Sequence, residues 1–281
     1  MDTIGQQKLW TFLSGANKAV VANCTQIRQG GGHRINDYME LVRKLAELQF
    51  MNRDYVLLYR GQNADHHNAK GNTTLKPSLL RASNGKNPNQ ATLVSRFDVL
   101  KKAETLLIDE YQQRSLLGKD RLKRQQILRW SILQHYEVCA TPLLDVTNSL
   151  RIAASFASDG AGSEAFIFVI GVPNLSGAIT ASAEAGLQIV RLSSVCPPTA
   201  LRPHIQEGYL LGEYPEMTGY DQKQYYANFE IDFGRRLVAK FRFNPRSFWK
   251  KRLFPKVERS VLYPNKNDPL FALAESIRSA L

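Results

Sequence analysis

Helical spacing dominates the apolar residues of the first half of this chain and strand spacing those of the second, and that change limits the folds open to it. Up to about residue 158 the apolar side chains recur at helical spacing. In "INDYMELVRKLAELQF" they fall at Tyr38, Leu41, Val42, Leu45, Leu48 and Phe50, behind Asn36 or Asp37 as a cap. In "TLVSRFDVLKKAETLLIDEYQQR" the stripe is Val94, Phe97, Leu100, Leu107, Ile108 and Tyr111, and "ILRWSILQHYE" and "LRIAASFAS" read as two further helices. From residue 165 the spacing is that of strands. "EAFIFVIGVP" and "GLQIVRLSSV" run apolar or alternate between breakers. "RRLVAKFRFNP" puts Leu237, Ala239, Phe241 and Phe243 on one face and Val238, Lys240 and Arg242 on the other. One strand, "YVLLY" (55–59), stands ahead of most of the helices, and "DPLFALAESIRSAL" reads as a capped terminal helix. The fold predicted is α+β: a mostly antiparallel sheet with helices packed on it, the helices concentrated in the first half.

A chain of 281 residues with 43% hydrophobic and 22% charged residues has the composition of a folded protein. Its longest apolar run, Phe166 to Val172, is interrupted by Gly171 and falls short of the ~18 residues of a membrane span. "MDTIGQQKLW" lacks the basic-then-apolar pattern of a secretory signal, and Cys24, Cys139 and Cys196 are too few and too scattered for a disulfide framework. These features predict a cytoplasmic protein without a membrane partner. Gly30–Gly32 marks a flexible break, so residues 1–34 read as a leader. Residues 35–281 read as a single domain, with its motif core at about 55–210 and a basic, strand-rich part at 211–281. Residues 61–90, rich in Gly, Asn and Pro, read as a long surface loop.

Three segments set polar side chains against apolar runs: "YRGQ" (59–62), residues 133–157 and residues 200–211. An unpaired buried polar group costs about 1–3 kcal/mol, so these side chains require partners or a ligand. Arg60 ends a strand. Its guanidinium is a planar, permanently charged fork suited to phosphate, or to an internal pair with Asp145. His135 is either a core histidine or a cleft residue that orients a ligand or shuttles a proton. Tyr136 reads as core with one satisfied hydroxyl, and Asp145 with "VTNS" as a polar turn opening the next helix. No metal is predicted: His66 and His67 are adjacent, and the His135–Cys139 pair lacks a second pair.

The net charge of +12 favours a polyanionic partner or simply a solvated surface. Arg235–Arg259 holds ten cations with Glu258 as its single acid, and aromatic residues run through it. That pattern suits a nucleic-acid surface carried by Arg242, Trp249, Lys250, Lys251 and Arg252, or a solvated strand and loop whose aromatics sit in the core.

Arg60 and Gly61, then Gln134, His135 and Tyr136, then Leu143, Leu144, Asp145 and Thr147, then Ala153 and Phe156 resemble the FRG domain family. That family has a Phe-Arg-Gly motif and a downstream His-Tyr-Gly, Leu-Leu-Asp, Thr and Ala-x-x-Phe-Ala block. Here Tyr59 replaces the phenylalanine, Glu137 stands where glycine is common, and "CATP" lacks a frequent arginine. The resemblance runs over roughly residues 36–270 and includes "IQEGYL", similar to a Gln-x-Gly-aromatic element. FRG domains occur mainly in bacteria and their mobile elements. More distantly, the strand ending in Tyr-Arg-Gly resembles arginine-type ADP-ribosyltransferases. That resemblance implies an NAD-dependent enzyme, a toxin or defence factor with a protein acceptor. In it Arg60 holds the dinucleotide phosphates. Gly61, Gln62, Tyr136, Asp145, Thr147 and Asn148 complete the cofactor site, and the catalytic set is Arg60, His135 and Glu207, with Glu164 as a second candidate carboxylate. The alternatives are a non-catalytic nucleic-acid-binding module and a protein-interaction module.

Overall fold

The computed structural model describes residues 7–83, 86–222, 231–250, 254–264 and 267–281. The chain opens with a hairpin, β1 (Leu9–Thr11) and β2 (Val20–Ala22), then α1 (Cys24–Gln29), β3 (His33–Ile35) and α2 (Tyr38–Met51). Strand β4 (Val56–Gln62) leads into an irregular stretch with a 3-10 turn at Ser78–Leu80. Helices α3 (Gln90–Gln113), α4 (Lys119–Arg124) and α5 (Gln126–His135) follow. The middle continues with β5 (Leu144–Thr147), α6 (Leu150–Ser158), β6 (Ala165–Val172), the hairpin β7 (Ile179–Ser182) and β8 (Leu187–Arg191), α7 (Leu192–Val195), α8 (Leu201–Ile205) and β9 (Gly208–Glu213). A 3-10 turn at Phe233–Arg236 enters β10 (Leu237–Phe243), and α9 (Pro245–Phe248), α10 (Arg259–Leu262) and α11 (Pro269–Ala280) end the chain.

Among the described residues, eight strands form one sheet in the order β3-β10-β6-β4-β5-β9-β8-β7. Every neighbouring pair is antiparallel except β3 with β10. The fold is therefore α+β with a mostly antiparallel sheet. The central strands β6 and β4 share seven paired positions, from Val56–Val172 to Gln62–Phe166. Side chains on both faces of β6 from Ile167 to Val172 are buried. A strand covered on both faces reads as a continuous apolar run, and "FIFVIGV" is one. Among the described residues no helix is long and apolar enough to cross a membrane.

Several local expectations change on folding. Strand β4 does not stop at Tyr59 but carries Arg60, Gly61 and Gln62 within the sheet. Helix α3 starts at its Asn89 cap, whose side chain accepts from the Thr92 amide, and buries Leu93 where the spacing favoured Val94. Residues 61–83 are pinned rather than loose. Thr73, Leu75, Leu79 and Leu80 are buried, and the Leu79 amide donates to the Thr141 carbonyl at 3.0 Å. Strand β10 has no solvated cationic face. Lys240 is only 2% exposed, its Nζ 2.5 Å from Asp65 Oδ2 and 2.7 Å from Thr73 Oγ1. Burying an ammonium is tolerable only with such partners. The glycine run closes α1, with the Gly30 amide donating to the Gln26 carbonyl, and Gly32 (φ +83°) turns the chain against Lys240 into β3. Beyond residue 213, β10 is the one strand among the described residues; the other elements there are helical.

Candidate ligand cavity and its arginines

Strands β4 and β5 pair at a single position, Tyr59 with Thr147. Beyond it they part, and the parted ends open a cavity of about 610 Å³. Arg60 stands in the gap, and its Nη1 donates to the Asp145 carbonyl at 2.6 Å. The strand can hold this place because Gly61 has no side chain. A Cβ there would lie 1.8 Å from the Ala153 carbonyl oxygen of α6. The Arg-Gly pair of "YRGQ" thus combines a guanidinium aimed into the cavity with a backbone on which a helix can rest.

The opposite wall comes from the end of α5. His135 is its last residue, and the chain then turns through Tyr136 and Glu137. The Val138 amide donates to the Leu133 carbonyl and the Glu137 amide to the Gln134 carbonyl, which closes a Schellman cap. Such a cap needs a left-handed residue, and Glu137 supplies it at φ +55°. Glycine meets that demand without strain. His135 Nδ1 lies 3.3 Å from Asp145 Oδ1, and Gln134 Nε2 donates to Asp145 Oδ2 at 2.8 Å. The His135 side chain is 2% exposed and that of Asp145 35%, so Asp145 is the member of the pair that faces the cavity.

The charges follow from these contacts. Burial pushes Asp145 up, but the hydrogen bond from His135, the charge of Arg60 and the bond from Gln134 outweigh it and hold the carboxyl at about 2. Burial lowers the pKa of His135 more than Asp145 raises it, which favours a neutral imidazole with Nδ1–H directed at the carboxylate. Arg60 is pushed down to about 10, first by burial and then by the charge of Arg81 at the same cavity. Among the described residues neither Arg60 nor Arg81 makes a salt bridge. A third arginine, Arg202, is buried and pairs with Glu137 at 3.2 Å. Its guanidinium lies 4.5 Å from the centre of the Tyr263 ring. Arg60 Nε, Gln62 Oε1, His135 Nε2 and Arg202 Nε are buried without a hydrogen-bond partner among the described residues, and all four residues line this cavity.

Residues 56–165 match the FRG domain family. The match is shorter than the motif resemblance and ends before "IQEGYL". The FRG stretch supplies Arg60, Arg81, Gln134, His135 and Asp145. The later chain supplies the rest of the wall, including Arg202, Gln206, Gly208 and Tyr263. No curated protein and no solved structure matches the chain.

The other residues singled out from the sequence lie as follows. Gly61, Gln62 and Thr147 line the cavity, but the Thr147 hydroxyl is engaged with the Gln206 carbonyl at 2.8 Å. Tyr136 does not line it. The ring is fully buried and its hydroxyl donates to Asp268 Oδ2 at 2.8 Å, so it ties α5 to the start of α11. Asn148 and Glu207 are exposed and outside the lining; Glu207 sits in a left-handed turn at φ +45° between Gln206 and Gly208. Glu164 is on the surface, paired with Arg242 at 3.0 Å. Trp249 is stacked on Tyr38 and donates through Nε1 to Ser158 Oγ at 2.9 Å, which occupies the ring that a base would need. Lys250 is exposed, and Lys251 and Arg252 lie outside the described residues.

Arg81, Arg202 and Tyr263 were not anticipated. Each comes from an irregular segment or a short helix, where no periodicity marks a side chain as inward. Arg81 follows the turn that buries Leu79 and Leu80, and it reaches the cavity from an exposed position that no local pattern marks.

Proposed function

We propose that this FRG-domain protein binds NAD in the cavity and acts as an ADP-ribosyltransferase-like enzyme. The observation that carries the reading is the pair Arg60 and Arg81: two guanidiniums at one cavity, without a carboxylate salt bridge among the described residues, Arg60 held down first by burial and then by the charge of Arg81. A dinucleotide's phosphates would relieve that repulsion and accept the unused donors. The cavity volume falls in the range of small-molecule and cofactor sites, about 300–1,000 Å³. Phe156 and Tyr59 offer apolar surface beside the charges, as a base or nicotinamide ring requires.

In this reading the C1′–nitrogen bond to nicotinamide breaks and nicotinamide leaves with the bonding pair. Positive charge develops at C1′, and the acceptor's nucleophile (water in simple hydrolysis) bonds to C1′ and loses its proton. The cavity's contribution is to hold the phosphates and to present a fixed negative charge to C1′, an electrostatic task. An NAD-consuming activity also fits a toxin or defence role.

Purified protein is expected to melt at higher temperature with millimolar NAD and to release nicotinamide. Arg60→Lys is expected to cut that release by about tenfold or more, because an ammonium cannot make the forked contact. Expression of the wild type, but not of Arg60→Lys, is expected to lower cellular NAD. A folded protein with neither a melting shift nor nicotinamide release would end the reading.

A further inference from the structure

We propose that Asp145, and not Glu207, supplies the carboxylate that faces the reacting ribose, and that Gln134 is its positioning residue. This rests on the reading of the cavity as an NAD site. Glu207 is exposed and outside the cavity lining, whereas Asp145 lines it with about a third of its side chain open.

The orientation of Asp145 is set by a chain of one-way hydrogen bonds. The Thr141 amide donates to Ser78 Oγ at 2.9 Å, and that hydroxyl donates to Gln134 Oε1 at 2.9 Å, with the Thr141 carbonyl at 3.3 Å as its other acceptor. The Leu143 amide donates to Thr141 Oγ1 at 3.2 Å, and that hydroxyl donates to the same Oε1 at 2.6 Å. With its oxygen accepting two hydroxyls, the Gln134 amide can present only its NH₂ to Asp145 Oδ2. His135 Nδ1 takes the other oxygen. Both carboxylate oxygens are thereby engaged from behind, and what remains of their lone pairs faces the cavity. The groups around Asp145 are His135 and Gln134 from α5, Arg60 from β4, Arg81 from beyond the Ser78–Leu80 turn, and Tyr263 after α10. None of these is acidic at neutral pH, and the two other carboxylates that line the cavity, Glu137 and Asp159, are each paired with an arginine, Arg202 and Arg259. As nicotinamide departs with the bonding pair, the charge forming at C1′ meets a carboxylate that is already ionised and cannot rotate. Asp145 forms no covalent bond in this step.

The test uses the full chain in four versions: wild type, Asp145→Asn, Gln134→Leu and Glu207→Gln, each checked for folding by melting. Gln134→Glu replaces the leucine variant if that one does not fold, since a second carboxyl there disturbs Asp145 in the same direction. In free protein, the protonation midpoint of Asp145 is read by carbon NMR of its carboxyl. Gln134→Leu is expected to raise the midpoint and Glu207→Gln to leave it in place. In nicotinamide release from NAD, Asp145→Asn is expected to lower kcat by about 100-fold or more. Gln134→Leu is expected to lower it by about tenfold with KM held, and Glu207→Gln to stay within about twofold. Loss of turnover in Glu207→Gln with Asp145→Asn still active overturns the assignment. An unmoved midpoint in the Gln134 variant overturns the positioning. If wild type neither binds nor cleaves NAD, the NAD reading fails and takes the carboxylate role with it, while the midpoint still decides whether Gln134 positions Asp145.

Discussion

Glu137 holds a left-handed backbone at the cap of α5, at φ +55°, and its carboxylate also pairs with Arg202 at 3.2 Å. The two effects can be separated by two substitutions. Glu137→Ala removes the pair and keeps the β-carbon, and Glu137→Gly removes both. The glycine variant is expected to be more stable than the alanine variant by about 1 kcal/mol, the usual cost of a left-handed side chain. Denaturant melts of the two check this; equal stabilities would mean that the turn is unstrained. The pair itself contributes little, because the Glu137 side chain is 62% exposed. The FRG resemblance, in which glycine is common at this position, was the clue in the sequence. The sequence also offered an Arg60–Asp145 pair, but the guanidinium meets the Asp145 carbonyl, and the carboxylate is taken by His135 and Gln134. Arg60 and His135 were legible because each ends an apolar run. Gln134 was legible only as part of "QHY", since an amide's role depends on which hydroxyls reach its oxygen.

Among the elements, the contact that shapes the cavity is α6 on β4. Gly61 lets the Ala153 carbonyl approach, and Ala153, Ala154 and Ala157 are small and buried on the facing helix. Gly61→Ala cannot be absorbed by a flexible side chain, because the atoms it meets are backbone. It is expected to cost about 3 kcal/mol, the upper part of the range for overpacking, and to shift Arg60 out of reach of the Asp145 carbonyl. A variant that melts within about 1 kcal/mol of wild type would show that α6 can slide. Periodicity located α2, α3, α5, α6, β6 and β10 well, since each buries enough apolar surface to show its period. It failed for the opposite face of β10. Alternation implied that Lys240 and Arg242 share a wet face, but Asp65, 175 positions away in the chain, covers Lys240. A neutralising partner that distant leaves no local trace.

For the whole molecule, the family match and the sheet have different boundaries. Residues 56–165 contain β4 and β5 and reach only the first residue of β6. In the sheet β5 leans on β9, and β6 is sealed by β10. Residues 56–165 expressed alone are therefore expected to show no cooperative thermal transition, while the full chain shows one, by circular dichroism; a sharp transition in the fragment would make the rest of the chain an accessory. The same sheet order sets a schedule. Strand β10 lies between β3 and β6, so Phe241 pairs with both His33 and Ile167. On a ribosome, β3 and β6 emerge long before the strand that joins them. Until residue 243 is free of the exit tunnel, β6 offers an unpaired apolar edge and β3 has no sheet to belong to. The segment carrying β3 can thus dock only after β10 has been made, and a chain stalled short of β10 presents to the cell an open sheet and no finished cavity.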